Sequence, residues 1–242
     1  MSDIGAIKFT TYLEALALEI RKVRSGEKTS LKLLAAGARL LDNVGYRDLN
    51  VEEISAEAGL AKGTFYIYFK TKDEFLIELA RRFVAFEPQT LPSFSPRETA
   101  FRNTLALVTW YERGFLRNVG ILRCIIQMGE TDDAMRELWQ RRNRIIAEHA
   151  WDGTLARFNN PALDPALLML AVRTVGGMMD QSLFNRTRVQ TDTGEAGEGD
   201  ADPEFLCRFH ALLIYRAVYA HNPPDPEVAD LVAAIAGPTA LA

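Results

Sequence analysis

The chain has 242 residues, 48% hydrophobic and 25% charged, with a formal net charge of -4, so it can build a sizeable core and is not a protein basic over its whole surface. No apolar run approaches the ~18–20 residues of a membrane span. All the lysines precede residue 73, and the near-neutral first third gives way to an acidic remainder, which fits a local nucleic-acid-facing patch better than a wholly basic domain.

Strand signals are nearly absent, whereas helical periodicity runs through most of the chain. The opening MSDIGAIKFTTYLEALALEIRKVR carries charges throughout and has no small-residue cleavage site, so it does not read as a secretory signal. Residues 5–25 predict a first helix on Ile7, Leu13, Leu16, Ile20 and Val23, ending in the basic RKVRSG. TSLKLLAAGARLLDNVG predicts a second, with a Thr/Ser cap, Leu33, Leu34, Leu40 and Leu41 on one side and Gly45 as breaker. Asn50 caps VEEISAEAG, with Glu53 at capping-box spacing. After Gly59 comes AKGTFYIYFKTKDEF, in which Asp73 is expected to cap a longer helix reaching Phe86. The Pro- and Ser-rich EPQTLPSFSPRE interrupts the pattern and places a boundary near 87–97. Further helices are expected at 97–117, 118–129, 132–158, 164–184 and 203–221, with a polar loop at 185–202 and a short apolar piece at 228–235. Cys124 and Cys207 lie in apolar helical patterns and are expected to be reduced, mostly buried thiols in a cytoplasmic protein.

Residues 51–72 ask for the closest reading. Two short helices joined by a tight turn at Gly59 form a helix-turn-helix, whose second helix must reach a major groove ~12 Å wide. Val51, Ile54 and Ala58 make the inward stripe of the first helix, leaving Glu52 and Glu57 outside. Glu52, Glu53 and Glu57 would repel phosphate, so that face is expected to point away from the groove. In the second helix Phe65 and Phe69, four apart, point inward together. Lys62, Thr64, Tyr66 and Tyr68 are left for the other side, and Gly63 removes a side chain where a ligand backbone could approach. Lysines and tyrosine hydroxyls suit phosphates, and Thr64 can offer a methyl or hydroxyl to a base.

LLAAGARLLDNVGYRDLNVEEISAEAGLAKGTFYIYFKTKDEFL resembles the DNA-binding domain of the TetR (tetracycline-repressor) family of bacterial transcription regulators, over roughly residues 30–80. The resemblance implies an all-α protein: a three-helix helix-turn-helix head (28–87), then a larger helical effector-binding and dimerisation domain (97–242). Carried over by position, it implies base and phosphate contacts from Ala61, Lys62, Gly63 and Thr64, a phosphate contact from Tyr66, a base or phosphate contact from Tyr68, and a phosphate-binding Lys72. Asn50, also a candidate DNA contact, stands where Thr or Ser is usual, which is expected to preserve the cap and a phosphate contact. The helix within 1–27 is additional to the minimal head; bracing of the head is favoured over delivery of Arg21, Lys22 and Arg24 to DNA.

No enzyme is expected. His149, His210 and His221 are scattered without partners at metal-ligand spacing, and there is neither a Gly-rich phosphate loop nor a nucleophile elbow, so no metal or cofactor is expected. Gly176 and Gly177 fit close helix packing or a pocket wall. The resemblance places the dimer interface on the last two long helices, with Leu168, Ala171, Val175, Met179, Phe205, Leu212 and Tyr219 as candidates. Trp110, Phe115, Cys124, Met128, Met178 and Met179 are candidates for an effector pocket, with Arg123 suited to an acidic ligand. The expected partners are double-stranded operator DNA, a second copy of the chain and a small, largely apolar effector that releases a repressor. The alternatives are a constitutive or activating regulator without an inducer, and a helical ligand-binding or enzymatic protein whose head no longer binds DNA.

Overall fold

The structure, a computed structural model, describes residues 8–19, 25–155, 164–189, 202–224 and 226–236, and every regular element among them is helical. In chain order these are α1 (Phe9–Glu19), α2 (Ser25–Leu41), α3 (Val51–Glu57), α4 (Lys62–Tyr68), α5 (Lys72–Phe86), α6 (Ala100–Arg117), α7 (Val119–Gly129), α8 (Asp133–Leu155), α9 (Pro165–Val189), α10 (Pro203–Tyr219) and α11 (Ala229–Ala236). Short 3-10 turns at Glu87–Thr90 and Pro226–Val228 complete the set.

Local chemistry explains most boundaries. The Asn50 side chain accepts from the Glu53 amide at 2.9 Å, starting α3 as its spacing predicts. Gly59 takes φ +68, the left-handed turn that separates α3 from α4. At α5 the cap is Thr71 rather than Asp73: its hydroxyl accepts from the Glu74 amide at 3.0 Å, while the Glu74 carboxylate reaches back to the Lys70 amide at 2.9 Å. Asp73 instead sits in the first turn, where its charge suits the helix dipole.

Three other expectations need correction. α2 begins at Ser25, so Thr29 and Ser30 lie inside the helix; Gly26 is accommodated beside the Tyr68 ring, 3.7 Å from where a Cβ would stand. α9 continues to Val189 through residues assigned to a loop, because Arg186 is drawn into a buried ion pair. α10 stops at Tyr219, where Ala220 adopts φ 58 and its amide bonds the Arg216 carbonyl at 2.9 Å. Arg21, Lys22 and Arg24 lie outside the described residues, as does the rest of the expected loop from 190 to 201.

The chain divides into two compact units, Met1–Thr90 with Gly114–Arg144 and Leu91–Arg113 with Ile145–Ala242, the division falling inside α6 and α8. This differs from a simple cut near 87–97, since residues 114–144 join the first unit.

The first unit is built on aromatic rings. Phe65, Phe69 and Phe75 meet with centroids 5.1–5.5 Å apart, and Phe75 fills the space over Gly37, where any Cβ would run into its ring. Such pairs add ~0.5–1.5 kcal/mol each beyond the area they bury. α1 packs along α2 and sends Phe9 to Phe83 and Phe86, at 5.3 and 5.5 Å. The Phe9 amide donates to the Asn118 side chain at 2.9 Å, and Lys8 pairs with Asp42. α1 therefore packs on the head, through Phe9, which lies outside the apolar positions that predicted the helix. Gly120 lets α7 lie directly on the Leu41 carbonyl. Deeper still, Arg142 forks onto Glu87 at 2.6 and 2.7 Å, both side chains buried.

The second unit assembles the first part of α6, the last part of α8, and α9 to α11. Its core includes Phe101, Val108, Leu183, Ala211, Leu212 and Tyr215. It also buries charge: Glu112 on α6 accepts from His210 Nδ1 on α10 at 2.7 Å and faces Arg186 on α9 at 3.5 Å.

Candidate functional site

α3 and α4 present one continuous outward surface. Val51 and Ile54 are buried, Ala58 is half-buried, and Ser55 turns its hydroxyl onto the Val51 carbonyl at 2.8 Å, so α3 is anchored along one side. On α4, Phe65 and the following Phe69 are buried as their spacing predicts. The other side carries Ala61, Lys62, Gly63 and Tyr66, all exposed, with Thr64 half-buried. A Cβ on Gly63 would meet nothing within 4 Å, so the backbone there is open to a close-approaching surface. Ile67, which the sequence reading passed over, is 76% exposed and lies one turn from Gly63. Its exposure has no local signal, because an isoleucine inside an aromatic run reads as core.

The charged groups are more committed than the sequence suggests. Lys62 is bonded to the carboxylate of Glu52, which holds Glu52 below the usual carboxylate range and raises Lys62. The acidic face of α3 is therefore not turned away from the lysine, because the short turn brings the starts of α3 and α4 within reach. Lys72 spends its three ammonium hydrogens on the carbonyls of Tyr46, Arg47 and Leu49, at 3.0, 3.1 and 2.9 Å. It pins the segment between α2 and α3, a structural task that spacing alone could not reveal. Arg47, exposed on that segment, bonds the Tyr46 hydroxyl at 3.1 Å, which raises its pKa. Tyr68 is half-buried, its ring beside Gly26. Asn50 is exposed at the start of α3, its side chain engaged as the cap.

The proposed effector residues fall in both units. Phe115, Cys124 and Met128 are buried in the first, with Arg123 half-buried; Trp110 and Met179 are buried in the second, while Met178 is 60% exposed. Burial pushes the Cys124 thiol to about 12 and, with help from neighbouring Glu112, that of Cys207 to about 11, so both cysteines are inert thiols. The second unit has an apolar cleft of about 40 Å³ lined by Phe94, Leu107, Gly153, Val172, Ile214 and Val218 among others, and none of those candidates lines it.

On α9 two adjacent stripes of the same spacing differ in exposure. Ala171 and Val175 are half-buried and Met179 is buried within the unit, whereas Leu167, Leu170, Thr174 and Met178, at the same spacing, face outward. Leu167, Leu170 and Met178 make the outward stripe nearly as apolar as its neighbour, so hydrophobicity along α9 does not settle which turns inward. Gly176 and Gly177 open onto free space rather than onto a packed neighbour. On α10 Phe205 is exposed and Tyr219 half-buried, whereas Leu212 is fully buried in the core of its own unit. The Leu168 side chain lies outside the described residues. The tertiary fold gives His210 a carboxylate partner, yet no group of three His, Cys, Asp or Glu residues among those described could hold a metal ion. No helix among them is long and apolar enough to cross a membrane.

Comparison with known proteins agrees with this geometry. Residues 33–79 match the signature of bacterial regulatory proteins of the tetR family. Over 116 residues the chain is 27% identical to the fatty acid metabolism regulator protein of Bacillus subtilis, covering 48% of this chain and 59% of that one. The chain spans less than two thirds of the length of the first curated relatives it matches. In fold it is similar to a tetR-family transcriptional regulator from Streptomyces coelicolor, with a TM-score of 0.64 at 15% identity over 87% of this chain and 96% of that one. It is similar also to the regulator FadR of Bacillus subtilis, solved in complex with stearoyl-CoA, with a TM-score of 0.55 at 17% identity over 76% and 96%. These relatives are transcriptional regulators rather than enzymes. The family signature thus lies on the helix-turn-helix, and the all-helical fold is shared with solved TetR-family regulators.

Proposed function

We propose that this protein is a homodimeric repressor that occupies an operator through α3 and α4 and is released by a small, largely apolar effector. The observation that carries the DNA-binding part is the outward face of α4, where Lys62, the open backbone at Gly63 and the half-exposed Tyr66 stand together on a helix anchored from behind by Phe65 and Phe69. Phosphate contact frees Lys62 from Glu52, so the lysine exchanges one anionic partner for another. Thr64 and Tyr68 flank this face, and Asn50 orients the first amides of α3. Lys72 acts by holding the 46–49 segment rather than as a free phosphate ligand.

Dimerisation is supported by the exposed apolar stripe Leu167, Leu170 and Met178 on α9, with Phe205 exposed on α10. Half-sites recur at ~34–36 Å or multiples of it, which two linked heads can match. Effector control is supported by the kinship with a regulator solved with stearoyl-CoA, a largely apolar ligand. An effector acts only through its differential affinity for the two conformations, and ~5.5 kcal/mol of difference swings a population from 1:99 to 99:1.

The test is retardation of the DNA upstream of the protein's own gene, or of operators selected from a random pool, at two salt concentrations. Saturable, salt-sensitive binding with two copies per site is expected, and Lys62→Ala should weaken it on every sequence. Absence of binding to any selected DNA would sink the reading.

A further inference from the structure

In the second unit the segment from Leu91 to Thr99 lies as a strap over α6 and α8. It is fastened at Pro92, Phe94 and Ser95. His149 donates from Nε2 to the Pro92 carbonyl at 2.8 Å. The Phe94 ring stacks on the His149 imidazole, centroids 4.7 Å apart and planes 23° from parallel. Asn103, buried on α6, grips Ser95 twice, accepting from its amide at 3.1 Å and donating to its carbonyl at 2.9 Å. Gly153 completes the seat, because any Cβ there would run into the Phe94 ring. Beyond the ring the apolar cleft of about 40 Å³ continues between Leu107, Val172, Ile214 and Val218.

A buried asparagine with both ends of its amide assigned to a loop, a glycine kept clear for one ring, and empty apolar space behind that ring together make a socket. The strap segment, rather than a helix, fills it, and Phe94 itself remains half-exposed. We propose that this socket is a ligand site and Phe94 its resident plug. The ligand is a small aryl compound carrying a hydrogen-bond donor and acceptor on a short linker. Its ring takes the place of Phe94 on His149 and Gly153, its polar pair takes the place of Ser95 on Asn103, and an apolar extension enters the cleft. The cleft alone, about 40 Å³, is far smaller than the engineered apolar cavities, on the order of 150 Å³, that take up benzene, so a ligand ring needs the space that Phe94 vacates. That occupancy of the socket alters DNA binding rests on the repressor reading above, whereas the ligand site does not.

The experiment uses full-length protein without DNA, with phenylacetamide and benzene as probes, followed by thermal shift and by the His149 imidazole resonance. In the unaltered protein phenylacetamide should move the His149 signal saturably and benzene should not, since benzene cannot replace the bonds to Asn103. In Phe94→Ala both should bind, benzene at least about tenfold more tightly than in the unaltered protein, as expected when the open state is a tenth or less of the population. Adding Gly153→Val should abolish both. Movement of the His149 signal in the unaltered protein keeps the test decisive if Phe94→Ala fails to fold. Saturation by phenylacetamide without movement of His149, or binding indifferent to Gly153→Val, would overturn the site. Binding at His149 that leaves operator retention unchanged would overturn its regulatory role alone, and failure to bind DNA at all would leave the site standing while removing the repressor reading.

Discussion

The helix-turn-helix core and the core of the second unit are stabilised in opposite ways. Around α4 the contacts are local and apolar: Phe65, Phe69 and Phe75 lie within eleven residues of one another and need no partner beyond their own helices and α2. In the second unit Glu112 binds Arg186 and His210 across 74 and 98 residues. The first arrangement tolerates any ring or aliphatic chain of similar volume. The second tolerates no single loss, because a remaining buried charge has nowhere to go.

That contrast is open to a direct break. Glu112→Ala should cost about 3–5 kcal/mol by leaving Arg186 buried opposite no carboxylate, seen as an early unfolding transition. The triple variant Glu112→Leu, Arg186→Met, His210→Phe should regain most of it; if it does not, the charges serve more than packing. In the head, Phe75→Ala should cost a comparable 3–5 kcal/mol, but Phe75→Leu less than half as much, with no compensating change needed.

A smaller effect separates the two lysines. Lys72→Met leaves three carbonyls short of a donor and should cost about 1–3 kcal/mol while leaving the salt dependence of operator binding unchanged. Lys62→Ala should leave the melting temperature alone and reduce that salt slope by about 1. Equal slopes for both variants would return Lys72 to the phosphates.

The thiols sharpen the comparison through pH. Cys124 keeps its proton in the folded state up to about 12, against an ordinary value of 9.0. Its contribution is complete below pH 9 and is lost as the pH rises from there toward 12, since only the unfolded thiol ionises in that window. Stability should therefore fall by up to about 1.4 kcal/mol per pH unit above 9, and Cys124→Ala should flatten that limb of a pH-dependent denaturation series. The smallest effect is local: Asn50→Ala should cost about 1 kcal/mol through loss of the α3 cap.

Much of the head was legible before any coordinates. Asn50 three residues before Glu53, the turn at Gly59 and the four-residue step from Phe65 to Phe69 are short-range requirements, and each is met as read. The family resemblance rested on the same residues, and the signature match over 33–79 falls there as well. Where the reading missed, the local signals were ambiguous. Thr71, two residues before Asp73, takes the cap, a choice that residue type alone leaves open, and on α9 the exposed stripe Leu167, Leu170 and Met178 is nearly as apolar as the one beside it.

By itself, then, the amino-acid sequence determined the helical class, the helix-turn-helix with its inward phenylalanines, and the side chains left on the outer face of α4 apart from Ile67. Periodicity, capping and turn chemistry act over a few residues and are written in those residues. Only the tertiary structure decided that Lys72 serves the 46–49 carbonyls, that Lys62 is held by Glu52, that Glu112 gathers Arg186 and His210, and that Phe94 fills a socket between α6 and α8. Each depends on groups brought together from elsewhere in the chain, with geometry that the spacing along one helix does not encode.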